Sequence, residues 1–328
     1  MGYTVTEGNL DNLASYQDAS KGNLRWPSVF VLPGWLDSWW RTFGMDKEIM
    51  LRVVHRDDNI IGFAPLIKLG GTAYFLGSTD VCDYMDFVTA PGTEEEFFHE
   101  LMEDLRGNAI ERLVLAHVRP DSTVTRYLRP LAEGEGCSVG AFNEDISLEM
   151  ELPGDWDTYL ESLTSKQRHE VRRKLRRLHE AGQVDFHFDE EAGLLEENLD
   201  IFLTLFKECR RDKADFMTEQ MESFFRLLAD NMSGAGLLKF GILRLDGRPI
   251  ASTMCFDYDG CIYLYNSVYD PEYDNLSAGL LSKVLGVQDS IRMGKKRYDF
   301  LKGSELYKYH LGGKEVALSR CRIEFLSR

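Results

Sequence analysis

Three things are scarce in this chain of 328 residues: positive charge, close-set metal-ligating side chains, and long apolar runs. Lysine and arginine number 38 against 54 aspartates and glutamates, a formal charge of −16. That balance repels nucleic acid and anionic membrane unless cations are concentrated locally. The six cysteines (Cys82, Cys137, Cys209, Cys255, Cys261, Cys321) contain no C-x-x-C pair, so reduced thiols are expected. A disulfide joining Cys255 and Cys261 across a hairpin is the lesser alternative. The seven histidines show no H-x-x-x-H or similar spacing, and no metal site is expected. The opening MGYTVTEGNLDNLASYQDAS lacks the basic start and apolar run of a signal peptide, and no later run reaches membrane-spanning length. A cytoplasmic protein is expected.

What is present is a globular composition, 44% hydrophobic and 28% charged, in a chain long enough for two cores. Apolar runs in Leu51 to Ser78 flank Asp57-Asp58-Asn59 and Gly70-Gly71, which reads as a three-stranded meander. Leu238 to Ser267 repeats that plan. After each meander come a loop, an amphipathic helix and a short strand: Glu94 to Arg106 and Leu113 to His117 in the first half, Ser277 to Met293 and Arg297 to Phe300 in the second. The repetition implies two similar domains, because the period far exceeds a solenoid repeat. Pro153-Gly154-Asp155 sets the expected boundary, giving domains 1–152 and 153–328.

The spacing also predicts a core helix over Trp35 to Phe43, a helix over Thr123 to Leu131, and strands over Ser138 to Phe142 and Ile146 to Leu152. Core helices are expected over Leu194 to Arg211 and Thr218 to Met232, and a last strand over EVALSRCRIEF. One long helix is expected from Asp155 to Ala181. Its SKQRHEVRRKLRR segment is the anomaly of an acidic chain: either a solvated face paired with Glu161, Glu170 and Asp189-Glu190-Glu191, or an anion-binding face. Arg168 and Arg172, four apart, share one side of it and can grip a single phosphate or carboxylate.

WDTYLESLTSKQRHEVRRKLRRLHEAG, YNSVYDPEYDNLSAGLL and YDFLKGSELYKYHLG, with the earlier PGWLDSWWRTFG, FAPL and GSTDVCDYMDF, resemble the GNAT-fold acyltransferases of the CelD-like and FemAB-like group. The resemblance runs from Pro33 to Lys308. It implies an α/β (α+β) architecture of two tandem GNAT-like domains, mixed sheets flanked by helices, with the acyl donor in the C-terminal domain. In that fold two parallel strands splay and the thioester arm enters between them. Here the strands are Ile262 to Ser267 and Arg297 to Phe300, and a backbone N–H among Asn266, Ser267 and Val268 would polarise the acyl carbonyl. The family's diphosphate loop, Q/R-x-x-G-x-G/A, falls on Asp274 to Gly279, where Ser277, Ala278 and Gly279 begin a helix and only Gly279 fits the pattern.

The chemistry implied is transfer of an acetyl or other acyl group from acyl-CoA to an amine or hydroxyl of a sugar or cell-envelope precursor, such as those of polysaccharide biosynthesis. It needs a base, for which Asp270, Asp299 and Glu305 are candidates, and an acid, for which Tyr307 is. Lys302 and Lys308 are expected to meet an anionic group of the substrate, and Asp83, Tyr84 and Asp86 to bind the acceptor. Each acid also has a plain reading: Asp270 precedes Pro271 as a turn residue does, and Glu305 and Asp83 suit helix or loop caps. Two alternatives stand beside this reading, a FemAB-like transfer from aminoacyl-tRNA and a non-catalytic binding protein with a degenerate site.

Overall fold

The computed structural model describes residues 2–19, 23–77, 80–189, 192–209 and 215–325. The chain forms two compact units: Met1–Ile146 with Val316–Arg328, and Ser147–Glu315.

In the first unit, β1 (Tyr3–Glu7) pairs antiparallel with β2 (Glu48–Arg56), and between them lie α1 (Leu13–Ala19) and α2 (Pro33–Phe43). The polar N-terminal stretch, unpatterned in sequence, thus contributes an edge strand. Pro33 sits in the first turn of α2, where a missing N–H costs nothing. Trp35 and Trp39, four apart, are 0% and 1% exposed, which anchors the helix as expected of a core element. Burying two such rings removes apolar surface worth about 4–6 kcal/mol each.

The meander comes next as β2, β3 (Asn59–Leu69) and β4 (Thr72–Phe75), joined by tight turns at Asp57 and Gly70, both with positive φ. After β5 (Val88–Thr89) comes α3 (Glu94–Gly107), whose Phe97 lies where a Cβ on Gly62 would stand, so the helix presses directly onto β3. β6 (Arg112–Val118) then pairs parallel with β4 through Thr72–Arg112, Ala73–Leu113 and Tyr74–Val114. The helix expected over Thr123 to Leu131 is a π-helical turn, Val124–Leu128, continuing into α4 (Arg129–Gly134).

β7 (Ser138–Glu151) is a single strand where two were expected; no turn residue with positive φ interrupts it. Its last five residues, Ser147–Glu151, belong to the second unit. There the expected long helix is two, α5 (Trp156–Ser162) and α6 (Ser165–Ala181). The break is chemical: the Thr164 hydroxyl accepts from the Gln167 N–H while Gln167 Oε1 accepts from the Thr164 N–H. That T-x-x-Q pattern stands in the sequence and is what a reading based on periodicity passes over.

The short strands β8 (Val184–Asp185) and β9 (Phe188–Asp189) pair with β10, and α7 (Leu195–Glu208) and α8 (Glu219–Gly234) pack Phe202, Phe206, Phe224 and Phe225 into the core. Glu190, Glu191, Arg210 and Arg211 lie outside the described residues. The second meander, β10 (Leu238–Leu245), β11 (Arg248–Tyr258) and β12 (Cys261–Tyr269), turns at Asp246-Gly247 and Asp259-Gly260, all four with positive φ. After it come α9 (Ala278–Arg292) and β13 (Arg297–Lys302), and β13 pairs parallel with β12 through Cys261–Arg297, Ile262–Tyr298 and Tyr263–Asp299. Each unit therefore has the same meander, helix and three-pair parallel contact.

The compact units divide at Ile146/Ser147 rather than 152/153, because the end of β7 pairs with β13. The final strand, β14 (Lys314–Glu324), comes after α10 (Leu306–His310) and was expected in the second domain. From Val316 onward it belongs to the first, where it pairs with β6 and satisfies an edge that would otherwise stay open. All six cysteines are free; Cys255 pairs with Leu264 and Cys261 with Tyr258 in the ladder, so the two thiols are not opposite one another.

Candidate functional site

The candidate site grows from the point where β12 and β13 separate. Their pairing stops at Tyr263–Asp299. One residue further, the register between β11 and β12 jumps from Cys255–Leu264 to Met254–Asn266, leaving Tyr265 as an extra residue. A bulge bends its strand and sharpens the twist, which carries the rest of β12 away from β13. From Leu264 to Tyr269 one edge of β12 is held by β11, and among the described residues no strand pairs with the other. Alternate backbone groups on such an edge can take an extended ligand as an added strand.

Of the three backbone N–H groups expected near an acyl carbonyl, that of Ser267 is already engaged: it donates to Asn266 Oδ1 at 2.8 Å. Val268 is buried and pairs with Ser252. At the start of α9, Ser277 takes a left-handed conformation (φ 60°) without capping through its side chain, and its carbonyl accepts from the N–H groups of Leu280 and Leu281. Among the described residues, the N–H groups of Ala278 and Gly279 have no backbone acceptor. Gly279 is small for a definite reason: a Cβ there would stand 2.6 Å from Tyr269 Cδ1.

Asp270 does not face the gap as a free carboxylate. It caps the 3-10 turn Pro271–Leu276 through the Glu272 N–H at 3.0 Å and pairs with Arg248 Nη2 at 2.8 Å, as a turn residue would. Asp299 is buried and accepts the Leu301 N–H at 2.8 Å. Glu305, largely exposed, occupies the N-cap of α10 without capping it and pairs with Lys308 at 2.9 Å.

Lys308 was expected to meet substrate, but it is 2% exposed and its ammonium donates to the carbonyls of Leu301, Lys302 and Gly303 at 3.1, 2.6 and 3.2 Å. With Glu305 as a fourth partner its three protons are committed, and the geometry makes it the brace of the loop after β13. Lys302 is half-buried with its carbonyl inside that brace.

Tyr307 packs edge-on to Phe300, and burial, reinforced by the charge of Glu305, pushes its phenol well above the usual range. Beside it is a residue that periodicity conceals: Lys283, 7% exposed, donates to the Gly279 carbonyl at 2.6 Å and lies 4.8 Å from the Tyr307 ring centre. The signal was a lysine between Leu281 and Val284 on the buried side of α9. Tyr298 was also missed; its hydroxyl is fully buried, has no partner among the described residues, and is pushed far up by burial.

α6 packs against α9 and against the 3-10 turn before it, and Gln167 Nε2 donates to the Tyr309 carbonyl at 3.2 Å. Arg173 and Lys174 pair with Glu170, and Arg176 with Glu180, as a solvated face does. Lys166, Arg168, Arg172 and Arg177 form no ion pair among the described residues. Arg168 is thus a half-exposed and Arg172 an exposed cation on a helix that packs against α9. A cavity of about 1100 Å³ in this unit lies elsewhere, at the far end of α9 beside Trp156, Phe186 and Arg292; of its lining carboxylates, Asp189 pairs with His187 and Asp289 with Arg292.

In the first unit, Asp83 is half-buried, Tyr84 is buried beneath the Arg119 guanidinium, and Asp86 is buried. Asp86 accepts from the N–H groups of Phe87, Thr123 and Val124 and from the Thr123 hydroxyl. Burial raises its carboxyl to about 6 against the pull of those donors. Among the described residues no group of acidic, histidine or cysteine side chains is arranged to hold a metal, and no helix is long and apolar enough to cross a membrane.

Residues 165–309 match the family described as an acetyltransferase (GNAT) domain. Among solved structures the chain is similar to FemX, at TM-score 0.66 and 12% identity over 97% of this chain and 96% of that one. It is also similar to L-PGS from Bacillus licheniformis, at 0.61 and 12% over 96% and 92%, and to a tandem GNAT protein from the clavulanic acid biosynthesis pathway, at 0.50 and 12% over the whole of both chains. No curated protein matches by sequence. Residues 165–309 thus carry the match to an acetyltransferase (GNAT) domain, and the solved structures share the fold of the chain. The repeated unit gives the chain a tandem arrangement of that fold, as in the tandem GNAT protein.

Proposed function

We propose that this acyltransferase moves an acyl group from an acyl-coenzyme A thioester to an amine or hydroxyl of a sugar or cell-envelope precursor. The observation that carries the reading is the open edge of β12 beyond Tyr263, ending at a helix start with two N–H groups lacking backbone acceptors. The edge suits the extended arm of the donor, and the N–H groups of Ala278 and Gly279 suit its diphosphate. The loop itself offers Asp274 where the family has Gln or Arg. Arg168 and Arg172 on the adjoining α6 supply the missing cations in this reading.

In the transfer the acceptor's lone pair attacks the acyl carbon, the carbon–sulfur bond breaks, and the proton lost by the acceptor matches the one gained by the departing thiolate. Glu305, 58% exposed, serves as base in this reading; Asp299 and Asp270 are held by backbone and by Arg248. Tyr307, kept protonated by burial, serves as acid. The test is thermal stabilisation by acetyl-CoA and longer acyl-CoAs, and then thiol release with envelope-sugar amines. Tyr307→Phe and Glu305→Gln should each reduce release at least tenfold, on the order expected for loss of general acid or base catalysis. No stabilisation and no thiol release with any acyl-CoA sinks the reading.

A second donor, aminoacyl-tRNA, is favoured by one observation: the exposed cations of α6 without acidic partners in a chain of net charge −16. Salt-dependent binding of charged tRNA, lost on neutralising Arg168 and Arg172, would select it over the thioester.

A further inference from the structure

A small cavity of about 60 Å³ opens within the first unit, bordered by Arg25, Ser28, Tyr84, Asp86, Arg119 and Asp121. It is built from rigid parts. Arg25 is fixed by its backbone N–H on the Thr89 carbonyl at 2.8 Å, Arg119 stacks on the Tyr84 ring at 4.9 Å, and Asp86 is tied to Thr123 and its neighbours. The Ser28 side chain, 2% exposed, lines the cavity, and its hydroxyl has no partner among the described residues. A buried hydroxyl left without a hydrogen bond is costly, and one facing a polar cavity marks a place for a ligand atom.

The charges around the cavity decide which atom. Asp86 spends its oxygens on four protein donors, and burial still holds its carboxyl up at about 6, so it is the less charged of the two acids at the cavity. Asp121, half-exposed, lies on Arg119 Nε at 3.0 Å. Although burial works against it, Arg119 and Arg126 hold the Asp121 carboxyl below its usual range, so an oxyanion at this spot is favoured. The size is equally restrictive: 60 Å³ holds about two water volumes. That admits the head of a molecule and leaves the body outside.

We propose that this cavity is an oxyanion-binding site: a carboxylate or phosphate group is held by Arg25 and Arg119 and receives a hydrogen bond from the Ser28 hydroxyl. The oxyanion displaces Asp121 from Arg119 and meets two guanidinium groups that bond such groups in pairs. The ligand group is identified by its chemistry alone, and the site stands independently of the acyltransfer reading.

The test titrates the full chain with acetate and, separately, with inorganic phosphate, tracking the backbone amide signals of Ser28, Arg119 and Thr123 by NMR. Saturable shifts are expected for at least one of the two, and the one that saturates lower names the group. Arg25→Gln, at the exposed rim and safe for folding, should weaken binding about tenfold, and Ser28→Ala about threefold. Arg119→Lys keeps the charge, loses the fork, and should weaken it by an intermediate factor. Shifts linear in concentration for both anions, or full affinity in Arg25→Gln and Ser28→Ala, overturn the site.

Discussion

Replacing Lys308 with methionine separates the role the sequence suggests from the one the geometry assigns. The side chain is 3% exposed, so solvent screening does little to soften the loss. Three carbonyls, those of Leu301, Lys302 and Gly303, would lose their donor, and Glu305 its counter-ion. A buried acceptor without a partner costs about 1–3 kcal/mol, while the lost ion pair adds under about 1 kcal/mol because Glu305 is 58% exposed. Lys302 and Gly303 are half-buried and water can reach them in part, so the sum is not the simple total. The backbone adds to the demand: Leu301 and Gly303 hold φ of 61° and 107°, conformations that the ammonium keeps closed.

Lys308→Met is therefore expected to lower stability by about 2–4 kcal/mol, mainly through the carbonyls left without a donor. Lys308→Arg should lose at least half of that, because a planar fork cannot point at three carbonyls as a compact ammonium does. Glu305→Gln, with its carboxylate 58% exposed, should cost under about 1 kcal/mol. The assay is urea unfolding read as a midpoint shift at constant slope, with the two units monitored separately where their transitions part. If Lys308→Met loses less than about 1 kcal/mol while acyl-donor binding disappears, the brace is refuted and Lys308 is the substrate-binding cation after all.

Asp86 gives a prediction with a definite sign. Its carboxyl rises from 3.8 to about 6 on folding, so the protonated form is favoured in the folded state, and the stability it contributes is complete below pH 3.8 and lost as pH rises through 6. The full span is about 3 kcal/mol, and the wild type should lose most of it, about 2–2.5 kcal/mol, relative to Asp86→Asn between pH 4 and pH 8; a pH-independent difference refutes the shift. Gly279→Ala should cost about 1–3 kcal/mol through the clash with Tyr269, and Tyr269→Ala in the same chain should recover part of it, as a double-mutant cycle would show. Neutralising Arg168 and Arg172 together should leave stability within about 0.5 kcal/mol while lowering the salt dependence of polyanion binding by a slope of about 2. An unchanged slope places the anion elsewhere.

The repeated meander was legible because period-2 patterns and Asp-Gly turns are local, and the structure keeps both turns of the second copy with the positive φ they require. Three features were not. The break between α5 and α6 is set by a reciprocal cap at Thr164 and Gln167, which leaves the helical period almost unchanged across it. The placement of β14 from Val316 on in the first unit depends on which edge is open in three dimensions, and a strand pattern carries no address. Lys308 reads as a surface cation since a polar Gly-containing loop is ordinarily solvated; its burial arises from three carbonyls that converge only once the loop closes.

Both copies make the same parallel contact, but the length of strand beyond it differs, and that difference argues for where the donor goes. In the first unit the parallel pairing ends at Tyr74 and β4 itself ends at Phe75, one residue later. Hardly any strand edge is left there for an arm to join, and Asp86 and its donors fix the chain after it. In the second unit the pairing ends at Tyr263 and β12 runs on to Tyr269, six residues further, with a bulge that turns it away from β13. An extended ligand that binds through backbone hydrogen bonds needs several residues of free edge, about 3.3 Å of ligand for each. Six residues give an edge of about 20 Å, enough for a long arm; one residue gives none. The same duplicated plan thus supports an added strand only in the copy whose residues match the acetyltransferase domain, leaving the other copy free to shape a pocket for a different group.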